Sequence, residues 1–287
     1  MTTLVLAATG RLGPSVVAAL LAAGEPVTAV ARDKAKAAAA LPGEAELAIG
    51  DLGDREWLNH RLDEADSLVL LTPHGPEMAQ TQMAILGDAA RRDVRVVKVS
   101  GTGSLIAPDG PDACRQHWLV EQEMARLGQP HVIVRPNAFM QGLVAGVLME
   151  ARSTGAVSDP IAGAGINAID CRDIGEVIAR CVADQDLDGR TLVLTGPRSV
   201  SYLELTHIID EAGVPATVRA SSPSEVSARM RSRGLSEWEA DHLREMLTRF
   251  GDGAADFATT TVHDVLGREP GSVETFIQEL TSSSLVT

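Results

Sequence analysis

The chain has 287 residues, of which 45 % are hydrophobic and 22 % charged, and no apolar run approaches the roughly 18 residues of a membrane helix. This composition excludes a disordered chain and a membrane-spanning one, and it predicts one large domain or a domain with a smaller lobe. The formal net charge of −14 disfavours nucleic acid as a partner.

Short apolar runs alternate with helical stretches over the first 135 residues. The runs are rich in Val, Ile and Leu, as parallel strands buried on both faces are, and strands are predicted at 4–8, 26–31, 45–49, 67–71, 95–99 and 131–135. Helices are predicted at 13–23, 77–92 and 112–127. Right-handed crossovers then give an α/β Rossmann fold with a doubly wound parallel sheet, whose ligands bind beyond the carboxyl ends of the strands.

The alternation loosens after residue 135, where a helix is predicted at 173–183 and a strand at 191–195. The predicted organisation is a Rossmann core over 1–135 and a mixed region over 136–287, which completes the core and forms a small C-terminal substrate-binding lobe. Residues 221–250 contain two polar helical stretches with few residues suited to a core. They predict a mobile lid.

A glycine turn joins the first predicted strand to a helix. Two glycines three positions apart let the backbone turn tightly and approach a pyrophosphate, and the helix N-terminus supplies N–H donors. A simple turn is the alternative, but the βα series that follows favours dinucleotide binding. The expected phosphate-binding residues are Thr9, Gly10, Arg11, Leu12 and Gly13.

Basic residues follow the second predicted strand. An NAD site usually has an acid here, about 20 positions after the glycines, to hold the ribose hydroxyls. This chain has Arg32 in that place, Lys36 one helical turn later and Arg11 in the glycine loop. A solvated basic turn is the alternative, but in so acidic a chain these residues favour a 2′-phosphate. We therefore predict NADPH/NADP+ as the cofactor.

Further motifs follow the later strands: GDL at 50–52, VSG at 99–101, VRPNAFM at 134–140, DCRDI at 170–174 and LTGP at 194–197. Together with the glycine loop, which is similar to TGATGxxG with Ala7 in place of the first glycine, they resemble the NmrA-like group of atypical short-chain dehydrogenases/reductases. The resemblance covers nearly the whole chain.

The resemblance implies an NADP(H)-binding Rossmann domain with a substrate cleft roofed by the C-terminal lobe. The further cofactor contacts that the resemblance implies are Asp51, Leu52, Thr72, Pro73, Pro136 and Asn137, and the expected substrate contacts are His74, Phe139 and Met140. Three of these have a structural alternative: Asp51 could cap a helix, Pro136 could end a strand and Phe139 could lie in the core.

Ordinary members of the wider superfamily use a Tyr-x-x-x-Lys pair, in which the phenol protonates the substrate oxygen. Counting back from Arg135 aligns His117 with the tyrosine and Glu121 with the lysine, whereas the single tyrosine, Tyr202, lies elsewhere. His117, with its acidity set by Glu121, could supply the proton, and Ser100 could hydrogen-bond the carbonyl. A surface ion pair or a pocket lining is the alternative for His117.

Two function classes stay open. The first is an NADPH-dependent reductase of a ketone or quinone in an aromatic secondary metabolite, such as an angucyclinone-type polyketide, in which the substrate itself could stabilise the developing charge. The second is a non-enzymatic NADP(H)-binding redox sensor of the NmrA type, which signals to a protein partner.

The remaining expectations concern metals, location and assembly. No His/Asp/Glu cluster in the sequence has metal-ligand spacing, so we predict no metal site. Cys114, Cys171 and Cys181 show neither CxxC pairing nor metal spacing, and the first ten residues predict a strand rather than a signal peptide. We expect a cytoplasmic protein without membrane partners, and both a monomer and a homodimer stay open.

Overall fold

The computed structural model describes residues 2–282, so the outermost residues of the predicted domains, 1 and 283–287, lie outside it. The chain divides into two compact units. The first consists of the residues up to Pro136 together with Cys171–Val193, and the second consists of Asn137–Asp170 and the residues from Leu194 onward. Among residues 2–282, no helix is both long and apolar enough to cross a membrane.

A seven-stranded sheet organises the first unit. The strands within the described residues are β1 (Thr3–Val5), β2 (Val27–Ala31), β3 (Glu46–Ile49), β4 (Ser67–Leu70), β5 (Arg95–Val99), β6 (His131–Pro136), β7 (Ala156–Asp159), β8 (Thr191–Leu194) and β9 (Thr217–Ala220). The large sheet has the order β3-β2-β1-β4-β5-β6-β8, and β7 pairs with β9 in a separate parallel sheet. The pairs among β1 to β6 are all parallel. This order confirms the predicted doubly wound fold, because the chain runs outward from β1 to β3 and then restarts on the other side of β1.

Helices follow most strands in both units. Within the described residues they are α1 (Gly13–Ala22), α2 (Lys34–Ala40), α3 (Arg55–Asp63), α4 (Met78–Ala90), α5 (Asp112–Leu127), α6 (Leu143–Thr154), α7 (Cys171–Ala183), α8 (Tyr202–Glu211), α9 (Pro223–Ser232), α10 (Glu237–Gly251), α11 (Thr261–Leu266) and α12 (Val273–Ser282). Leucines, isoleucines and valines of α3, α4 and α5 form one continuous buried cluster with the strands. The helices α1 and α7 pack on each other and against the sheet.

Most predicted elements of the first unit lie within two residues of the observed ones. The first strand is the exception, because it ends at Val5 rather than at residue 8. Ala7 has a left-handed backbone with φ of 46°, which interrupts the regular strand, although the N–H of Ala8 still bonds the carbonyl oxygen of Val30 on β2. The short strands β7 and β9 have no counterpart among the predicted elements.

Residues 221–250, the predicted lid, form the polar helices α9 and α10, which pack on each other. Each begins with a capping box, in which Ser222 or Ser236 exchanges hydrogen bonds with a glutamate three residues later. These caps explain why two helices with few buried apolar residues form here. The mobility of the segment stays a prediction.

The contact between α1 and α7 depends on Gly175. A Cβ at this position would lie 2.5 Å from the carbonyl oxygen of Ser15, whereas a Cβ at Gly146 in α6 would meet nothing within 4 Å. We expect Gly175→Ala to lower the free energy of unfolding by about 1–3 kcal/mol, because the two helices must separate. Gly146→Ala is the matched control and should raise it by up to about 1 kcal/mol, since alanine favours a helix. Urea unfolding measures both, and equal effects would contradict the proposed close contact.

Candidate active site

The glycine loop leads from β1 into α1 with little space between backbone segments. A Cβ at Gly13 would lie 2.2 Å from the carbonyl oxygen of Ala8, so only glycine fits where the helix begins. The N-cap residue, Leu12, makes no side-chain hydrogen bond to the first turn of the helix. The N-terminus of α1 therefore lacks a side-chain cap of its own and offers N–H groups to an anion. Thr9 is half-buried, and Gly10 and Arg11 are exposed.

Ala7 closes this loop in a conformation that glycine adopts more easily. Its carbonyl oxygen accepts a hydrogen bond from the N–H of Gly10 at 2.9 Å. A left-handed backbone costs a non-glycine residue about 1–3 kcal/mol. Alanine at this position of the loop therefore stores backbone strain.

The basic residues after β2 are exposed. Asp33, the acid next to Arg32, caps α2 by accepting hydrogen bonds from the N–H groups of Ala35 and Lys36 at 2.8 and 3.0 Å. Its carboxylate is therefore engaged with the helix. Within residues 2–282, the side chains of Arg11, Arg32 and Lys36 form no ion pair. The site is thus positively charged where a site that prefers NADH would present an acid.

The ends of β3 and β4 carry the next predicted residues. The Asp51 carboxylate accepts a hydrogen bond from the backbone N–H two residues later at 2.8 Å, so it caps a turn rather than a helix. Leu52 is half-buried against the core cluster. The Thr72 hydroxyl accepts a hydrogen bond from the Gln82 amide at 2.5 Å, and Pro73 is exposed.

A fully buried lysine lies on β5. The Nζ atom of Lys98 donates a hydrogen bond to the carbonyl oxygen of Val99 and lies 3.0 Å from Nδ1 of His117 on α5. Burial lowers the pKa of Lys98 from 10.5 to about 7, and the negative charge of Glu121 opposes this shift. A Cβ at Gly101 would lie 3.3 Å from Cδ2 of His117, so glycine leaves room for the imidazole ring.

Lys98, Ser100, His117, Glu121 and Arg135 form a polar cluster, in which the Glu121 carboxylate is a hydrogen-bond acceptor. It accepts a hydrogen bond from Oγ of Ser100 at 2.6 Å and from Nε of Arg135 at 3.1 Å, and a second Arg135 nitrogen binds its other oxygen. Ser100 and Glu121 are both buried. The sequence predicted that Glu121 sets the acidity of His117, whereas the hydrogen bonds of Glu121 go to Ser100 and Arg135, and Nδ1 of His117 faces Lys98.

His74 lies at the surface next to this cluster. Its exposed ring contacts the ring of His117 edge to face, with centroids 5.5 Å apart. The structure thus brings together four predicted residues, two that follow β4 and β5 and two on α5: His74, Ser100, His117 and Glu121. Sequence reasoning assigned no role to Lys98, although a lysine within an apolar strand predicted to be buried on both faces was an available signal.

Other predicted residues lie where β6 ends and in the second unit. Pro136 is buried and is the last residue of β6, which agrees with the alternative that it ends a strand. The Asn137 amide donates a hydrogen bond to the Ala255 carbonyl oxygen at 3.0 Å. Phe139 is half-buried, and Met140 is fully buried, as a core side chain is. The ligand contacts of these residues stay predictions.

Tyr202 lies outside the helix that carries His117. It is the first residue of α8 in the second unit, and burial raises the pKa of its phenol. Within residues 2–282, no group of three His, Cys, Asp or Glu side chains is placed to hold a metal ion.

The profile of one protein family matches residues 1–212, which is most of the chain and includes the whole cluster on β4, β5 and α5. The chain belongs to the NmrA-like family. This NmrA-like protein is 29 % identical to an NAD(P)H azoreductase of Xenophilus azovorans over 92 % of its own length and 93 % of that enzyme. It is also 28 % identical to Prestalk A differentiation protein A of Dictyostelium discoideum, but the match covers 58 % of this chain and only 55 % of that relative.

Among solved structures, the NADPH-dependent quinone oxidoreductase QOR2 of Escherichia coli, complexed with NADPH, superimposes with a TM-score of 0.85. The superposition covers 97 % of this chain and 99 % of that structure at 20 % identity. At this identity, the similarity supports the shared fold.

The buried charge of Lys98 makes stability depend on pH. The pKa of Lys98 in the folded protein, about 7, lies below that of an unfolded lysine, so the unfolded chain binds more protons between these values and wild-type stability rises with pH across that window. Below about pH 7 both states are protonated, and the full cost of burying the charge is present. We expect Lys98→Met to remove this rise, with the largest gain in stability relative to the wild type near pH 6, of the order of a few kcal/mol.

Urea unfolding of both proteins at several pH values from 6 to 10 measures this effect. Lys34→Met, which removes an exposed lysine from α2, should leave the pH dependence unchanged. If the free energies of unfolding of the wild type and Lys98→Met changed in parallel with pH, the result would contradict a buried charge on Lys98.

Proposed function

We propose that this NmrA-like protein is an NADPH-dependent reductase that delivers hydride to a ketone or quinone of an aromatic substrate. The observation that carries this proposal is the set of unpaired basic side chains, Arg11, Arg32 and Lys36, beside the glycine loop. The names of its relatives support the same chemistry, since an azo group and a quinone are both conjugated acceptors of two electrons.

The residues of the first unit fit the cofactor by charge and by space. The uncapped N–H groups of α1 suit a pyrophosphate, and the three basic side chains suit a 2′-phosphate. We propose that Asp51 and Leu52 flank the adenine and that Thr72 and Pro73 lie along the cofactor. When it is bound, the reduced nicotinamide supplies the hydride.

Hydride delivery leaves a developing negative charge on the substrate oxygen, which needs a donor. The hydroxyl proton of Ser100 points to Glu121, so Ser100 is already engaged as a donor. His117 is then the group of the cluster that we propose protonates or hydrogen-bonds this oxygen. An extended aromatic acceptor also spreads the charge, which lowers the demand on any protein acid.

The narrower substrate that we propose is an aromatic polyketide ketone of the angucyclinone type. Such a substrate combines delocalisation over fused rings with a hydroxyl beside the ketone, and it therefore suits a site without the tyrosine and lysine of ordinary members. Absorbance assays measure the consumption of NADPH with quinones, azo dyes and polycyclic ketones. They test both the reductase function and the narrower polyketide substrate. Tight binding of NADPH without turnover of any acceptor would overturn the reductase and favour the redox sensor.

The basic side chains should determine the choice of cofactor. We expect the double variant Arg32→Ala/Lys36→Ala to bind NADPH about 10- to 100-fold more weakly and NADH almost unchanged, because charged hydrogen bonds to the 2′-phosphate are lost. Isothermal titration calorimetry measures both dissociation constants. Lys34→Ala, an exposed lysine of the same helix, should change neither, and equal losses for both cofactors would contradict a 2′-phosphate site.

A further inference from the structure

Lys98, His117 and His74 lead from the core of the first unit to its surface. Lys98 has no exposed surface, His117 is 3 % exposed, and the ring of His74 is exposed. The three side chains come from β5, α5 and the end of β4, and each contacts the next. A buried ammonium group is costly, so a lysine at this position needs an explanation beyond packing.

We propose that Lys98 is a positioning residue that holds His117 as the neutral tautomer protonated on Nε2 and replaces the proton that His117 gives to the reduced substrate. This inference rests on the proposed reductase function and identifies how its proton is supplied.

The tautomer follows from the donors and acceptors of the pair. A protonated lysine carries three N–H donors and no acceptor, so an imidazole nitrogen 3.0 Å from its Nζ must accept. While Lys98 is charged, Nδ1 therefore carries no hydrogen, and the single ring proton of neutral His117 lies on Nε2. The carbonyl of Val99 holds a second N–H of Lys98 and fixes the ammonium in this direction.

The proton balance of the step is complete. When bound, the reduced nicotinamide would supply the hydride for a new C–H bond at the carbonyl carbon, and the electron pair of the C=O π bond would move to oxygen. Oxygen takes the proton from Nε2 of His117 while Nδ1 takes a proton from Lys98. The products are a hydroxyl group, oxidised nicotinamide, His117 protonated on Nδ1 and neutral Lys98. The cycle closes when solvent returns a proton to Nε2 of His117, whose ring contacts the exposed His74, and Nδ1 passes its proton back to Lys98.

The charged and titratable groups around the pair set the direction of its pH dependence. Glu121 on α5 favours the protonated lysine, but it is paired with Arg135 of β6, and His74 lies beside the imidazole. Burial outweighs the attraction of Glu121 and brings the pKa of Lys98 to about 7. Below this pH, Lys98 therefore carries the proton that it gives to His117, and above this pH it lacks that proton.

The pH profile of turnover tests the proposal in the holoenzyme with saturating NADPH and a polycyclic aromatic ketone. In the wild type, we expect kcat to fall as the pH rises through about 7 to 8. Lys98→Met should lower kcat at pH 6 at least about 10-fold and remove this fall, while the dissociation constant of NADPH stays unchanged. A pH dependence of kcat in Lys98→Met that matches the wild type would overturn the proposal.

A double-variant cycle separates action through His117 from a general effect on the fold. We expect His117→Gln to lower kcat roughly 100-fold and Lys98→Met to cause no further loss in that background. Independent, multiplicative losses would overturn the proposal. Wild-type protein that binds NADPH but reduces no acceptor would instead overturn the proposed function.

The tautomer can be observed without any change to Lys98. In ¹⁵N-histidine-labelled wild-type protein at pH 6, with the His117 signals assigned by their loss in His117→Gln, we expect hydrogen on Nε2 and none on Nδ1. A protonated Nδ1 would overturn the inference even if Lys98→Met does not fold.

Discussion

The buried charge of Lys98 is the constraint on which the polar cluster of the first unit depends. Its ammonium group has no exposed surface, so every stabilising partner must come from the protein. The carbonyl of Val99 and the imidazole of His117 supply those contacts, and the charge of Glu121 attracts it. Removing the charge from water lowers the pKa of the lysine into the range in which a reductase can use its proton.

The parallel sheet explains why this cluster and the glycine loop share one edge. In the order β3-β2-β1-β4-β5, the carboxyl ends of β1, β4 and β5 are neighbours, and the chain reverses direction between β1 and β4. The glycine loop, proposed to bind phosphate, follows β1, whereas the proposed proton donor lies beside the end of β5. Both therefore belong to the first unit.

The sequence predicted the features that depend on local pattern, and it missed those that depend on partners distant in the chain. The glycine loop, the basic residues after β2 and the βα order follow from spacing and periodicity. The hydrogen bonds of Glu121 could not be predicted in this way, because Arg135 lies on β6, Ser100 directly follows β5, and both reach Glu121 only through the fold. The i,i+4 spacing of His117 and Glu121 suggested a pair, whereas a lysine from the adjacent strand faces the imidazole.

In the proposed mechanism, the buried Lys98 behind His117 takes over the proton supply that a phenol provides in ordinary short-chain dehydrogenases/reductases. The chain has only three lysines, Lys34, Lys36 and Lys98, and the first two are exposed. A pH titration of protein labelled with ¹³C at the lysine ε-carbons should therefore give three resolvable signals. We predict that the signal absent from Lys98→Met titrates near pH 7. Titration of that signal near the ordinary lysine value of about 10.4 would contradict the buried, proton-supplying Lys98.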